Sequence, residues 1–233
     1  MEGEEHGFQR ASGPSYFDLL SALHRSLAPD LYLEIGSRTG NSLALARGDF
    51  IAVDPTFNLK RLLTFPGRQG HLFQMTSDEF FASGFLEATG RKPGFAFLDG
   101  MHLFEFLLRD FMNAEARMEP GGVIALHDCC PYDAAMAARE RGRTRAWTGD
   151  VWKLVPILQE LRPDLSIEVF DAAPTGLVVI RNLDPESRIL AAAAPELEAS
   201  LRDVTIEGYG PDRFYASFAW ASAAEFIAGA PGE

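Results

Sequence analysis

The sequence predicts an α/β fold in which a doubly wound, mostly parallel sheet of seven strands closes on an antiparallel hairpin, followed by a C-terminal extension. Three observations carry this. Short apolar runs alternate with helix-length segments through the first two thirds of the chain, the order that builds a parallel sheet with helices on both faces. Two late apolar runs, 167–170 and 177–180, are separated only by DAAPTG, too short for a helical crossover and sufficient for a hairpin. The earlier runs lead into polar residues, as strands of an open sheet do where they reach a ligand-binding rim.

The first element is a helix. Ser15 with Asp18 reads as a capping box, and Tyr16, Leu19, Leu20, Leu23 and Leu27 then share one face until Pro29. The strands follow: 31–35 ending at Gly36, 50–53 ending at Asp54, 71–75, 95–98 ending at Asp99, and 123–126 ending at His127. Thr76 and Glu79 read as a second capping box, and the clearest helical segment spans 101–118. Pro156 sits in the first turn of a later helix or kinks it. Pro174 and Gly176 supply the turn between the last two strands. Residues 183–233 break the alternation, with a helix over about 185–202 and then an irregular, aromatic-rich tail. The chain therefore divides into a core domain, 1–182, and an appendage, 183–233. The appendage is expected to pack on that core or on a second copy of the chain in a homo-oligomer.

Composition narrows the function. With 47% hydrophobic and 23% charged residues among 233, the chain is globular rather than disordered. Lys and Arg number 21 against 33 Asp and Glu, giving a net charge of -12 and a pI near 4.9. A field of that sign argues against nucleic acid and anionic membranes as partners. The longest uninterrupted apolar run, 189–194, is far shorter than the ~20 residues of a spanning helix. The opening MEGEEHGFQR is acidic and has no apolar stretch, so no secretory leader is expected. Cys129 and Cys130 are the two cysteines and are adjacent. They can close no long loop, and a reducing, cytoplasmic setting is expected.

Chemistry is expected at the strand ends. Glu34, Gly36 and Gly40 belong to the first, Asp54 to the second, and Thr76, Ser77 and Asp78 to the third. Asp99 and His102 follow the fourth, and His127 and Asp128 the fifth. In E-I-G-S-R-T-G-N-S, Gly36 and Gly40 let backbone approach a ligand, and a helix after them offers its N-terminus. A dinucleotide fingerprint needs G-x-G-x-x-G, but Arg38 and Asn41 stand at its second and third glycines. Asp54 stands where a carboxylate accepts hydrogen bonds from both hydroxyls of a ribose. The carboxylates of Glu34, Asp54, Asp78, Asp99 and Asp128 suit a cationic ligand and repel a pyrophosphate.

E-I-G-S-R-T-G, A-V-D-P, F-L-D-G-M-H and P-G-G-V-I-A-L-H-D together resemble class I S-adenosylmethionine-dependent methyltransferases, over roughly residues 30–182. More narrowly, they are similar to the branch with D-G-x-H after the fourth strand and H-D after the fifth. That branch includes small-molecule O-methyltransferases, among them macrolide sugar methyltransferases, and shades into cephalosporin-hydroxylase-like proteins. The resemblance implies a Rossmann-like fold, S-adenosylmethionine as cofactor and a small-molecule acceptor. It implies that Glu34, Gly36, Ser37 and Gly40 hold the methionine part, Asp54 the ribose, and Thr76, Ser77 and Asp78 the adenine. Asp99 approaches the methionine amino group in metal-free relatives. In metal-dependent members the matching aspartates, here Asp99 and Asp128, ligate a divalent ion such as Mg²⁺, and the D-x-x-H histidine, here His102, is the base. His127 occupies a position where some relatives place an acidic ligand, and an imidazole there favours Zn, Fe or Ni over Mg.

Methyl transfer from a sulfonium is an in-line displacement, so the protein must align a nucleophile, exclude water and remove a hydroxyl proton. Two carboxylates at neighbouring strand ends, Asp99 and Asp128, are costly unless hydrogen-bonded, protonated or neutralised by a cation. Oxygen ligands suit Mg²⁺, which would lower the pKa of a bound hydroxyl. A histidine near neutral pKa, such as His102, suits a base. Residues 139–153, RERGRTRAWTGDVWK, hold five basic and two acidic residues. Arg141, Arg143 and Arg145 can grip a carboxylate or phosphate beneath a lid of Trp147 and Trp152, or pair with the acidic surface. The leading expectation is a divalent-metal-assisted O-methyltransferase with a small, in some cases anionic, acceptor. Beside it stand a metal-independent N- or O-methyltransferase and a cofactor-binding protein without efficient turnover.

Overall fold

The computed structural model describes residues 7–60, 67–142 and 146–232. The first half of the chain forms α1 (Tyr16–Leu27), β1 (Leu31–Ile35), β2 (Asp49–Val53), β3 (Gly70–Phe73), α2 (Ser77–Ala82), α3 (Phe85–Thr89), β4 (Phe95–Leu98) and α4 (Phe104–Glu115). The second half forms β5 (Val123–His127), α5 (Leu154–Leu161), β6 (Ser166–Phe170), β7 (Leu177–Arg181), α6 (Ile189–Leu201), α7 (Ile206–Tyr209), α8 (Pro211–Tyr215), β8 (Trp220–Ala221) and α9 (Ala223–Gly229).

Local sequence accounts for the element ends. The Ser15 hydroxyl accepts from the Asp18 N–H at 3.3 Å, and the Asp18 carboxylate accepts from the Ser15 N–H at 3.2 Å, so α1 begins where the capping box placed it. It ends at Ala28, in the left-handed region just before Pro29. Thr76 and Glu79 start α2 by the same reciprocal pair. Pro156 lies in the first turn of α5, where a missing N–H costs nothing. β1 and β4 are buried at every residue, as central parallel strands are.

The strands lie in the order β3-β2-β1-β4-β5-β7-β6-β8. β1 to β5 run parallel, and β7 is antiparallel to both β5 and β6. The sheet thus has the expected parallel body and antiparallel end, but eight strands rather than seven. The added strand comes from the C-terminal extension, where β8 pairs in parallel with β6, Val169 opposite Trp220 and Phe170 opposite Ala221. The expected irregular tail is instead α7, α8, β8 and α9. A two-residue strand has no period to read in a sequence; its partner defines it.

Alternate strand residues face opposite layers. Tyr32, Phe50, Phe95, Phe97 and Val179 pack against Leu19, Leu20 and Leu23 of α1 and Ala223 of α9. Leu33, Ile51, Leu98 and Ile124 pack on the other side with Phe111 of α4, Leu158 of α5 and Phe214 of α8. A helix was expected after the first glycine loop, but residues 36–48 contain only a 3-10 turn, Leu43–Leu45. Gly36, Gly40 and Gly48 punctuate that stretch, and glycine is a poor helix former. The 3-10 turn contributes Leu43 to the layer that α1 and α9 share. Among the described residues, no helix is long and apolar enough to cross a membrane.

Candidate active site

The carboxyl ends of the parallel strands open into a cleft of about 720 Å³, within the range of small-ligand sites. Gly36, Asp54, Thr76, Ser77, Asp78, Asp99 and His102, all marked in the sequence, line it. Gly36 has φ 93°, and a Cβ there would stand 1.9 Å from the Asp99 carbonyl oxygen. The glycine is what lets the end of β1 and the end of β4 meet. Asp54 is fixed by two backbone donors, the Thr56 N–H at 2.7 Å and the Arg38 N–H at 3.0 Å. Its oxygens keep further acceptor capacity for a ligand. The Thr76 hydroxyl is engaged in its capping box, and Asp78 is paired with Arg109 at 3.0 Å.

Glu34, Ser37 and Gly40 support the cleft from beneath rather than line it. Glu34 is fully buried. One of its oxygens accepts from the Tyr32 hydroxyl at 2.7 Å and the other from the Ser42 hydroxyl at 2.9 Å. Burial pushes its pKa up to about 7, although those hydrogen bonds pull it down. The Ser37 hydroxyl donates to the Glu34 carbonyl, and the Gly40 N–H donates to the Ser37 carbonyl, which closes the turn.

Four titratable side chains meet where β4 and β5 end. His102 Nδ1 lies 2.8 Å from the Trp147 carbonyl. A carbonyl only accepts, so Nδ1 carries the proton and donates. His102 Nε2 then faces Asp99 Oδ1 at 3.4 Å. Two lone pairs at that separation require a cation between them, either a proton on Nε2 or a metal ion. Burial pulls the His102 pKa down, but the hydrogen bond with Asp99 and the charges of Asp128 and Asp99 outweigh it and raise it to about 9. Asp99 moves the opposite way. Burial raises it, and His127 and His102 more than offset that, holding it below the usual carboxylate range.

One ligand atom each from Asp99, His102 and Asp128 lie within 4.8 Å of one another, so these three can hold a metal ion. His127 is not in that group. Its Nδ1 faces Asp99 Oδ1 at 3.2 Å and Asp128 Oδ1 at 3.5 Å, while its Nε2 is buried without a hydrogen-bond partner. Asp128 takes a left-handed backbone, φ 59°, and accepts from the Thr175 hydroxyl at 2.7 Å. Strained backbone of this kind persists where the surroundings fix it.

The basic loop divides. Trp147 stacks on His102 with ring centroids 5.3 Å apart, Arg141 lies over Trp147, and both line the cleft. Trp152 was expected in the lid, but it is buried between Tyr209 and Phe214. Arg139 is held by Glu105 and Asp150, both at 2.7 Å. Arg143 and Arg145 lie outside the described residues. Cys129 and Cys130 are free and buried, and burial raises both thiols, which leaves them inert.

Tyr16 and Phe17 also line the cleft, and the sequence reading missed them. The Tyr16 ring lies 4.0 Å from that of His127. Tyr16 read only as the first apolar residue after a helix cap. It reaches the rim because α1 starts there, with the Tyr16 N–H bonded to the Ala173 carbonyl before β7.

Comparison with known proteins bears directly on this rim. Residues 33–129 match a family model described as "Methyltransferase domain". The matched stretch includes Glu34, Gly36, Asp54, Asp99, His102 and Asp128. Residues 33–129 are therefore similar to a methyltransferase domain. No curated protein sequence matches the chain. Among solved structures, the fold is similar to that of an O-methyltransferase from Bacillus cereus in complex with SAH, at 13% identity and TM-score 0.54, covering 73% of this chain and 81% of that one. It is also similar to cofactor-bound Rv0187 from MTB, at 11% identity and TM-score 0.53, covering 72% and 80%. At such identities the likeness is one of fold.

Proposed function

We propose that this domain transfers the methyl group of S-adenosylmethionine to a hydroxyl of a small acceptor, assisted by a divalent ion held by Asp99, His102 and Asp128. The observation that carries the reading is the pair of facing lone pairs on His102 Nε2 and Asp99, a position that asks for a cation. Two carboxylates with one imidazole are a donor set suited to Mn, Fe or Zn, more than the oxygen-only set that suits Mg²⁺. Bound there, the ion would supply Lewis acidity that lowers the pKa of the acceptor hydroxyl.

Gly36, Asp54 and residues 76–78 are the groups placed to hold the cofactor, with Asp54 accepting from the ribose and Thr76, Ser77 and Asp78 beside the adenine. The cofactor, when bound, supplies a methyl group on a cationic sulfur, which the carboxylate-rich rim favours. With the ion bound, His102 would ligate it through Nε2, oriented by the Trp147 carbonyl; without it, the same Nε2 would take the acceptor proton. Tyr16, Phe17 and Trp147 wall the cleft and exclude water. Arg38 and Arg141, also in the wall, support an acceptor with a negative charge. The free, adjacent thiols support a reducing, cytoplasmic setting.

Calorimetric titration with S-adenosylmethionine is expected to give saturable binding that Asp54→Ala weakens; no binding overturns the reading. His102→Gln is expected to lower kcat by about 10²-fold, through loss of the metal ligand in the metal-assisted reading or of a positioned base in the metal-free one. Exhaustive chelation is expected to abolish turnover, and added Mn²⁺ to restore it. A second reading is favoured by the raised pKa of His102, because a proton on Nε2 satisfies the same lone pairs without metal. Turnover that survives chelation, with a rate that climbs with pH towards about 9, selects that metal-free transferase.

A further inference from the structure

A second cleft, of about 520 Å³, opens at the opposite edge of the sheet, around Asp30 before β1 and Asp49 at the start of β2. Four arginines line it, Arg25, Arg47, Arg68 and Arg91. In a chain with net charge -12 this is a local reversal of sign. Asp30 and Asp49 are the acids in its wall, which leaves a formal excess of two positive charges. Asp49 is already engaged, with Arg91 at 2.8 Å and the Gln69 N–H at 2.8 Å.

The arginines hold unused donors. Each guanidinium carries five N–H bonds. Arg25 donates to the Pro231 carbonyl and the Ser21 hydroxyl, and Arg68 donates one bond to the Ala46 carbonyl. Arg47 is exposed and makes no hydrogen bond or ion pair among the described residues. An independent observation comes from His24, which lines the cleft, is fully buried, and has no hydrogen-bond partner on either ring nitrogen. Burial and the charges of Arg47 and Arg68 hold its pKa down to about 3, so the ring is neutral and keeps one unsatisfied N–H. A buried donor without a partner is a cost to the fold, kept here directly behind the cleft wall.

We propose that this cleft binds a dianionic phosphate group, gripped by Arg47 and Arg68 with His24 in the wall. A carboxylate carries one charge and is satisfied by one arginine, as Asp49 is by Arg91. A phosphate carries about two charges at neutral pH and several acceptor oxygens, matching the excess and the number of free donors. The forked guanidinium geometry suits it better than ammonium groups would. The site stands on its own residues and does not rest on the methyl-transfer reading.

Isothermal titration of the full chain at fixed ionic strength tests it, with inorganic phosphate and ribose 5-phosphate as the two probes. One-to-one saturable binding is expected, weakened at least tenfold in Arg47→Ala and in Arg68→Ala and unchanged in Arg38→Ala, which alters the other cleft. Saturation by the ester alone identifies an organic phosphate as the ligand, and saturation by both identifies the phosphate group itself. Arg47 is exposed and makes no hydrogen bond or ion pair among the described residues, so its variant should melt at the wild-type temperature. The proposal is overturned if neither probe saturates, if chloride at the same ionic strength gives an equal response, or if a folded Arg47→Ala binds as tightly as wild type.

Discussion

Glu34 and His24 are buried groups that pull stability in opposite directions with pH. Glu34 rises from 4.5 to about 7 in the folded chain, so between those values the folded state holds its proton more firmly. Its contribution is full below 4.5 and is lost as pH rises through 7. His24 falls from 6.5 to about 3, so its contribution is present above 6.5 and is lost as pH falls towards 3. Glu34→Gln removes the first effect alone. Wild type should therefore lose up to about 3 kcal/mol relative to E34Q between pH 4.5 and 8, the size of a shift of two to three pKa units. Urea midpoints across that range check it, and parallel curves for the two proteins would sink the assignment. At this scale the sequence exposed the site's chemistry but not its pairings. Asp99, His102 and Asp128 were legible as polar residues closing apolar runs. That His102 spends its Nδ1 on the Trp147 carbonyl, or that His127 turns to Asp99, depends on loops whose paths no local pattern records.

Among the elements, legibility followed the range of the interactions that make them. The capping boxes at Ser15 and Thr76 and the buried runs of β1, β4 and β5 are local signals, and the structure keeps them. β8 exists through its pairing with β6, and α9 through a face that fits between α1 and the sheet. The missing helix after β1 follows the three glycines of 36–48, which weaken any helix there. α9 is anchored at its start, where the Ser222 hydroxyl accepts from the Glu225 N–H and Asp171 accepts from the Ala223 N–H at 2.7 Å. Farther along, Phe226 meets Phe170 edge-on at 5.5 Å. Phe226→Ala is expected to cost about 2 kcal/mol, below the full value for a core phenylalanine because the ring is half-buried. Thermal melting should show a drop of a few degrees, with cofactor affinity unchanged. A change below about 0.5 kcal/mol, the usual size for a surface position, would mean that α9 holds nothing in place.

For the molecule as a whole, the net charge of -12 hides a division by end. Carboxylates gather where the parallel strands finish, and arginines gather where β1 and β2 begin. One sheet thereby presents opposite fields at its two edges, the first suited to a sulfonium and the second to an oxyanion. The layer over β1, β4 and β7 has a consequence for how the chain is made. It is built from α1 and from α9, about 200 residues further along the chain, so synthesis supplies its two parts far apart in time. Until residue 226 has emerged, Phe170 lacks the ring it meets edge-on and that side is only partly covered, by α1. Such long-range closure is slow and leaves apolar surface open to other chains. Nascent chains arrested before β8 should be cut readily by protease and should bind an apolar dye, while chains extended past residue 232 should resist both. Equal resistance at the two lengths would show that the face closes without its last helix.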